Sequence, residues 1–391
     1  MSDAHSEPSQ KKKWVKRILL ILLILLLVIT LGIGFFIWRA GHTWDSKTEK
    51  FDSITKVDED QAKIKEKLGE AKKLNVTELK APTVTNSDTG KNGTTDAAAA
   101  LAANASEHDK DGDGILDDGY SYNVVKGPGK NILLLGSDTR SGSEAALVSG
   151  SRADSIMLAH IPADGKGVYL VSIMRDTWVN IPGYGAAKIN AALNYGGISL
   201  QVATVENLLG IKIDHVAEIE FEGFKALVNS VNGVDVQVPF DFDINAWSFK
   251  QGMQHMDGGA ALAFVRARYP FADGDYQRVR NQRAFLRGLY NTMKAKGALS
   301  NVGSFQSAVE SIAGYMRVDS GLDAAQIAQI AAPVLTSGDT TMRMTTLPNA
   351  GPGWSYDGQS IVIVNQAANA NLSYALQHDS MDQFMATYGQ D

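Results

Sequence analysis

The chain has 391 residues, a net charge of −6 and no cysteine, which excludes disulfides, thiolate nucleophiles and Cys-ligated metals. Its length exceeds one average domain, and its acidic balance argues against a nucleic-acid binder, which would show a basic face. Arginine is concentrated late: from residue 130 onward it outnumbers lysine 11 to 8. Guanidinium forks inside an otherwise acidic segment point to a local anion site.

Ile18 to Ile37 is a run of 20 uncharged residues, about 30 Å long as a helix, which matches a bilayer core. Lys11, Lys12, Lys13, Lys16 and Arg17 precede it, so the positive-inside rule keeps the N-terminus in the cytoplasm and the rest outside. No small-x-small site follows the run, so a retained anchor is expected over a cleaved signal. The expected organisation is a cytoplasmic tail (1–17), a transmembrane helix (18–38), an extracellular stalk (39–120) and one catalytic domain (121–391). In the stalk, Lys47 to Leu74 allows a solvated or self-associating helix, and the polar stretch after it has little to bury. At its end Asp109, Asp111, Asp113 and Asp117, with Gly114 at the sixth position, match the spacing of a calcium loop. Tyr120 stands where the final acid belongs, so the run equally suits a solvated acidic turn.

Beyond residue 120 the pattern is mixed α/β. Apolar, β-branched runs predict strands at 131–136, 155–161, 168–173, 215–219, 234–238 and 342–347. Helical periodicity predicts helices at 187–195, 199–209, 221–230, 257–265, 277–295, 304–316, 323–334 and 364–377. Such alternation implies a sheet covered on both faces. Charges gather at the ends of these runs: Asp138, Arg152 and Asp154, Arg175 and Asp176, Arg266 and Arg268, then Asp275 and Arg278. Strand ends are where open α/β sheets place ligands, and arginines mixed with aspartates suit a phosphate with a divalent cation.

Asn131 to Asp138, Arg152 to Met157, Val171 to Thr177, Ile181 to Gly185, Lys188 to Asn190, Gly196-Gly197, Phe264 to Arg268 and Asp275 to Arg278 occur in one order. In this the chain resembles the LytR-CpsA-Psr family of envelope phosphotransferases over roughly residues 125–391. The resemblance implies an α/β/α sandwich with a mixed central sheet and a long apolar pocket for a polyprenyl chain. It also implies Mg²⁺-dependent transfer of a glycopolymer from undecaprenyl pyrophosphate to peptidoglycan through a phosphodiester bond. On that resemblance Asp138 and Asp154 hold Mg²⁺, and Arg152, Arg175, Arg266, Arg268, Arg278 and Gln282 bind pyrophosphate. Asp275 takes the place of a carboxylate that assists transfer, with Arg175 and Arg278 beside it. Met174 and Asn281 depart from the family's usual proline and arginine, and the second departure leaves the role of Arg280 open.

Helical spacing adds an independent expectation. Asp275, Arg278 and Gln282 fall on one face with Phe285, Leu286 and Leu289, while Arg280, Arg283 and Arg287 fall opposite and read as solvated. Asp275 and Arg278 also suit a helix cap with a structural ion pair. Arg266 and Arg268 share a face only if their segment is extended, and of Arg175 and Asp176 only Arg175 is expected to face the ligand. Lys188 is given no role. Two other functions fit the same charges: a polyprenyl pyrophosphate hydrolase, and a non-catalytic module that binds polyprenyl phosphate. A serine hydrolase and a P-loop are excluded for want of their motifs.

Overall fold

The computed structural model describes residues 41–51, 72–74, 108–116, 120–137, 153–295, 313–337 and 341–389. Among them no helix is long and apolar enough to cross a membrane. The expected span at 18–38 lies outside the described residues, as do Asp117, Asp138 and Arg152.

The central sheet is built from Glu49–Phe51 (β1), Lys130–Ser137 (β2), Ala153–Ile161 (β3), Val168–Ile173 (β4), His215–Glu220 (β5), Met316–Asp319 (β6) and Met342–Thr346 (β7). Their order is β1–β6–β5–β2–β3–β4–β7. The sheet is mixed: β2 pairs antiparallel with β3 and parallel with β5, and β4 pairs antiparallel with β3 and parallel with β7. The helices are Ala191–Leu209 (α1), Phe221–Ser230 (α2), Gly258–Arg266 (α3), Asp275–Ala295 (α4), Ala324–Ser337 (α5), Gln366–Gln377 (α6) and Met381–Tyr388 (α7).

Strand β2 shows how the sequence makes the layers. Successive strand side chains point to opposite faces, so Leu133 and Leu135 enter one core with Leu200, Leu209, Leu372 and Leu376 from α1 and α6. Ile132 and Leu134 enter another, with Val318 and with Ile327 and Ile330 from α5. The result is the expected mixed α/β fold around a mixed central sheet. A third apolar cluster lies beside the sheet, where Val234, Val236, Phe242, Phe249, Phe264 and Phe285 pack together. Its frame is the antiparallel pair 234–238 and 252–256, the hairpin 242–249 and helices α2, α3 and α4.

Several boundaries differ from the periodicity. The helix expected over 187–195 starts later, because Gly185–Lys188 pairs with Trp178–Ile181 as a hairpin. Within α1, Gly196 and Gly197 break the helix, with Gly197 at φ 65 and ψ −159. Only glycine adopts that conformation freely, so two helical patterns with a gap at 196–198 correspond to one kinked element. The end of the segment expected to be helical over 304–316 is a short 3₁₀ turn at Ala313–Tyr315 running into β6; residues 304–312 lie outside the described ones. Short strands at 49–51, 178–188, 242–256, 316–319 and 349–364 escape the pattern because they are brief or exposed on one side.

Helix α4 carries the most chemistry, and its position is tightly fixed. Phe285 is buried against Phe224 of α2, with ring centroids 4.8 Å apart. Three residues later Gly288 rests on strand 234–238, where a Cβ would come within 2.3 Å of the Asp235 carbonyl oxygen. Only glycine permits so close a helix–strand approach.

Candidate active site

Strand pairing brings the first two charged residues together. The β3–β4 register aligns Ile156 with Ile173, and continuing it by two residues sets Asp154 opposite Arg175. There Arg175 Nη1 donates to Asp154 Oδ1 at 2.5 Å. Helix α3 supplies the next pair. Its N-terminus is capped by Asp257, whose Oδ1 accepts from the Ala260 amide at 2.8 Å. It stops at Arg266 because Ala267 turns extended, at ψ 124. An extended residue between them points Arg266 and Arg268 the same way. Both line the same cleft as Asp154, Arg175, Arg278 and Gln282. Arg266 Nη2 lies 3.9 Å from Asp154 Oδ2, and its guanidinium sits 4.2 Å from the centre of the Phe221 ring.

The first turns of α4 close the cluster from the other side. Asp275 and Arg278 form an i, i+3 ion pair in which both side chains are almost fully buried. Arg175 Nε lies 4.0 Å from Asp275 Oδ1. Gln282 Nε2 donates to the Val265 carbonyl at 3.4 Å, tying α4 to the end of α3. Beyond the Asp275–Arg278 pair, Asp275 Oδ2 and the Nε atoms of Arg175 and Arg278 are buried without a hydrogen bond. Buried polar atoms left unmatched are costly in a structural ion pair and useful where a polar ligand completes them.

Charge regulation follows from this packing. Burial raises the Asp275 carboxyl above its ordinary value, more than the nearby Arg278 lowers it. Burial also depresses the Arg278 guanidinium, although Asp275 opposes the shift. Burial acts on Arg175 in the same sense but is outweighed by Asp154, Asp176 and Asp275, so its net shift is upward. The site therefore holds a firmly cationic arginine beside a carboxyl with an enhanced tendency to take a proton.

The cleft has a volume of about 720 Å³. Beyond the charged mouth its wall is mixed: the hairpin and α3 contribute apolar Ile244, Trp247, Leu262 and Val265, and the hairpin adds Asp243 and Asn245. An anionic head and a hydrocarbon tail would both find matching surface here.

Of the residues expected at the site, Asp154, Arg175, Arg266, Arg268, Asp275, Arg278 and Gln282 converge. Two of the readings gain structural partners and one, for Arg283, is corrected. Arg175 lines the cleft and Asp176 does not; Asp176 is buried and pairs with Arg268 Nη2 at 3.3 Å. Lys188, given no role, lies 3.3 Å from the other Asp176 oxygen, because the hairpin 178–188 folds back on the Arg175 turn. Arg283, read as solvated, is buried, and its Nη1 bonds Thr346 Oγ1 on β7. Arg280 turns away from the cleft and pairs with Asp273. The periodicity missed Trp247 and Asp243, which line the cleft from a hairpin whose two strands are three residues each.

The acidic loop stands apart from this site. The carboxylates of Asp109, Asp111 and Asp113 converge within 4.8 Å of one another. Their oxygens accept from the amides of Gly114, Asp113 and Ile115. The loop docks on the domain where Gln366 Nε2 donates to the Gly114 carbonyl at 2.7 Å.

Known proteins resemble this chain in sequence and fold. The LytR_cpsA_psr family model matches residues 54–383. The polyisoprenyl-teichoic acid–peptidoglycan teichoic acid transferase TagU of Enterococcus faecalis is 36% identical over 194 residues, 49% of this chain and 62% of that relative. The "Probable cell wall biosynthesis protein LcpB" of Corynebacterium glutamicum is 39% identical over 189 residues, 46% of this chain and 45% of that relative. The chain thus spans less than two thirds of the length of these curated relatives. The crystal structure of TagV from B. subtilis superposes with a TM-score of 0.54 at 28% identity, covering 66% of this chain and 99% of that one. With its family model matched across most of the sequence, this chain belongs to the LytR_cpsA_psr family.

Proposed function

We propose that this protein transfers a glycopolymer from a polyprenyl pyrophosphate carrier to peptidoglycan, forming a phosphodiester bond and releasing polyprenyl phosphate. The observation that carries the reading is the buried cluster of Arg175, Asp275 and Arg278, with its unmatched donors and acceptor, at the mouth of a partly apolar cleft. The name of the TagU relative, a transferase between a polyisoprenyl-linked polymer and peptidoglycan, supports the same chemistry.

In this mechanism the acceptor hydroxyl attacks the phosphorus that bears the sugar. A new P–O bond forms, the anhydride P–O bond breaks, and polyprenyl phosphate leaves with the electron pair. Asp275, whose carboxyl is raised by burial, takes the hydroxyl proton. Arg175 and Arg278 offer donors to the charge developing on the phosphates, where positioning and electrostatics do most of the work. Arg266, Arg268 and Gln282 hold the outer phosphate at the rim. The apolar wall beside Trp247 and Leu262 takes the first part of the lipid.

Magnesium belongs to the same proposal. Asp154 lines the cleft with its carboxylate against Arg175 and near Arg266, and Mg²⁺ characteristically joins one or two carboxylates to substrate phosphates. Asp154 would hold it with Asp138, and the ion would supply further neutralisation of phosphate charge. The loop of Asp109, Asp111 and Asp113 is a second proposed cation site, for calcium. The hydrophobic run at 18–38 would anchor the chain in the cell membrane with the N-terminus cytoplasmic and the cleft outside.

The test is reconstitution of the full chain with a polyprenyl-pyrophosphate-linked saccharide, Mg²⁺ and peptidoglycan. Covalent saccharide on peptidoglycan, with stoichiometric polyprenyl phosphate, is the expected result. Carrier cleavage that ignores the acceptor would make the protein a hydrolase, and binding without turnover would make it a binding module.

A further inference from the structure

Helix α4 separates the reactive cleft from a second one of about 370 Å³ on its other side. The two approach each other closely, since Arg175 lines the first and its neighbour Met174 lines the second. Three arginines of α4, Arg280, Arg283 and Arg287, reach into this second cleft, and the described residues that line it include no aspartate or glutamate. Arg280 is partly neutralised from outside by Asp273, which does not belong to the wall. Arg283 is buried beside Thr346. Arg287 has no ion pair or hydrogen bond among the described residues, and the wall facing it is neutral.

Like charges three to seven residues apart on one helix face repel each other. Confinement in a cleft sharpens the repulsion by lowering the effective dielectric. In the reactive cleft the same problem is solved internally, by Asp154 and Asp275. Here the described residues of the wall beside the arginines offer neutral groups: Gln237, Tyr276, Asn281, Thr346 and Asn349. Guanidinium forks complement phosphate and carboxylate oxygens bidentately, and neutral amides and hydroxyls complement sugar hydroxyls.

We propose that this second cleft binds an anionic group, phosphate or carboxylate, carried on a saccharide chain, and so holds that chain beside the reactive cleft. The partition between the two is one helix thick, about 10–12 Å. A polymer whose reacting end lies against Arg175 thus has its following units within reach of Arg287. The inference rests on the transfer reading, and it adds a site for the chain beyond the pyrophosphate.

The test is calorimetric titration of the wild-type chain, Arg287→Gln, Arg283→Gln and Arg175→Ala. Three probes are used: a prenyl pyrophosphate, a glycerol phosphate oligomer that mimics an anionic donor polymer, and a muropeptide whose carboxylates mimic the acceptor. Arg287→Gln is expected to weaken one of the two saccharide-side probes about tenfold, the loss of one charge-assisted contact, and to leave prenyl pyrophosphate binding unchanged. The probe that is weakened names the source of the anion. Arg287 is exposed, so its variant keeps the fold even if Arg283→Gln does not. Unchanged binding of both saccharide-side probes by Arg287→Gln, or no binding of either by the wild-type chain, overturns the proposal. Arg175→Ala tests the underlying reading separately, because it should lose prenyl pyrophosphate. If it does not, the transfer site is wrong, whatever the second cleft binds.

Discussion

The two sides of α4 solve one electrostatic problem in opposite ways. On one side Arg278 is buried against Asp275, with Arg175 held by Asp154. On the other, Arg280, Arg283 and Arg287 line a wall whose described residues include no carboxylate. Interleaved acids let the first cluster form without ligand and aim its groups before substrate arrives, which is the kind of preorganisation transition-state stabilisation requires. A cation exposed at a cleft, as Arg287 is, does not need such aim. It only concentrates negative charge locally. Chemistry and capture are thus divided between the two faces of a single helix.

That division can be broken at defined positions. The largest effect is expected from Asp275→Asn, which removes the proton acceptor and should cut transfer by about 10²–10⁴-fold. Single-turnover rates would show this while prenyl pyrophosphate binding is retained, and a variant at wild-type speed would make Asp275 structural. Arg175→Ala should follow, with a loss of about 10²–10³-fold in kcat/KM through lost charge stabilisation. Its effect should appear in binding as well as rate. Phe221→Ala removes the ring beneath Arg266, a contact worth about 0.5–1 kcal/mol at an exposed site. It should raise KM about two- to fivefold with kcat unchanged, and a change in kcat alone would contradict a positioning role.

The subtlest effect concerns pH. Because the folded Asp275 carboxyl titrates above its ordinary value of 3.8, mainly through burial, folding favours its protonated form. The corresponding stability is present below that ordinary value and is lost as pH rises through the higher folded one. The wild-type Tm should therefore decline over that window relative to Asp275→Asn, which has no proton to lose there. Parallel Tm curves for the two proteins would show that the carboxyl is not strained by burial.

Much of the reactive cleft was legible in the sequence because its residues sit where local geometry determines direction. Arg266 and Arg268 needed only an extended Ala267, and Asp275, Arg278 and Gln282 needed only helical spacing. Arg283 was misread because period alone cannot say what stands opposite a helix. It took β7, more than fifty residues away, to bury it. For Asp176, alternation predicts its direction away from the cleft but not that a hairpin carrying Lys188 and a loop carrying Arg268 would cover it. Long buried strands such as 168–173 matched their apolar runs, whereas three-residue strands at 242–249 carry too few residues for a pattern.

The contact of Gly288 with the Asp235 backbone turns α4 into a lever. Past its midpoint it is bolted to a strand with no clearance for even a methyl group, while its near end, from Tyr276 to Arg287, forms the wall shared by the two cavities. Any added bulk at the bolt must swing the near end, opening one chamber as it narrows the other. Sensitivity to the reacting head group and to the trailing chain would then change together and in opposite directions, from a position that touches neither.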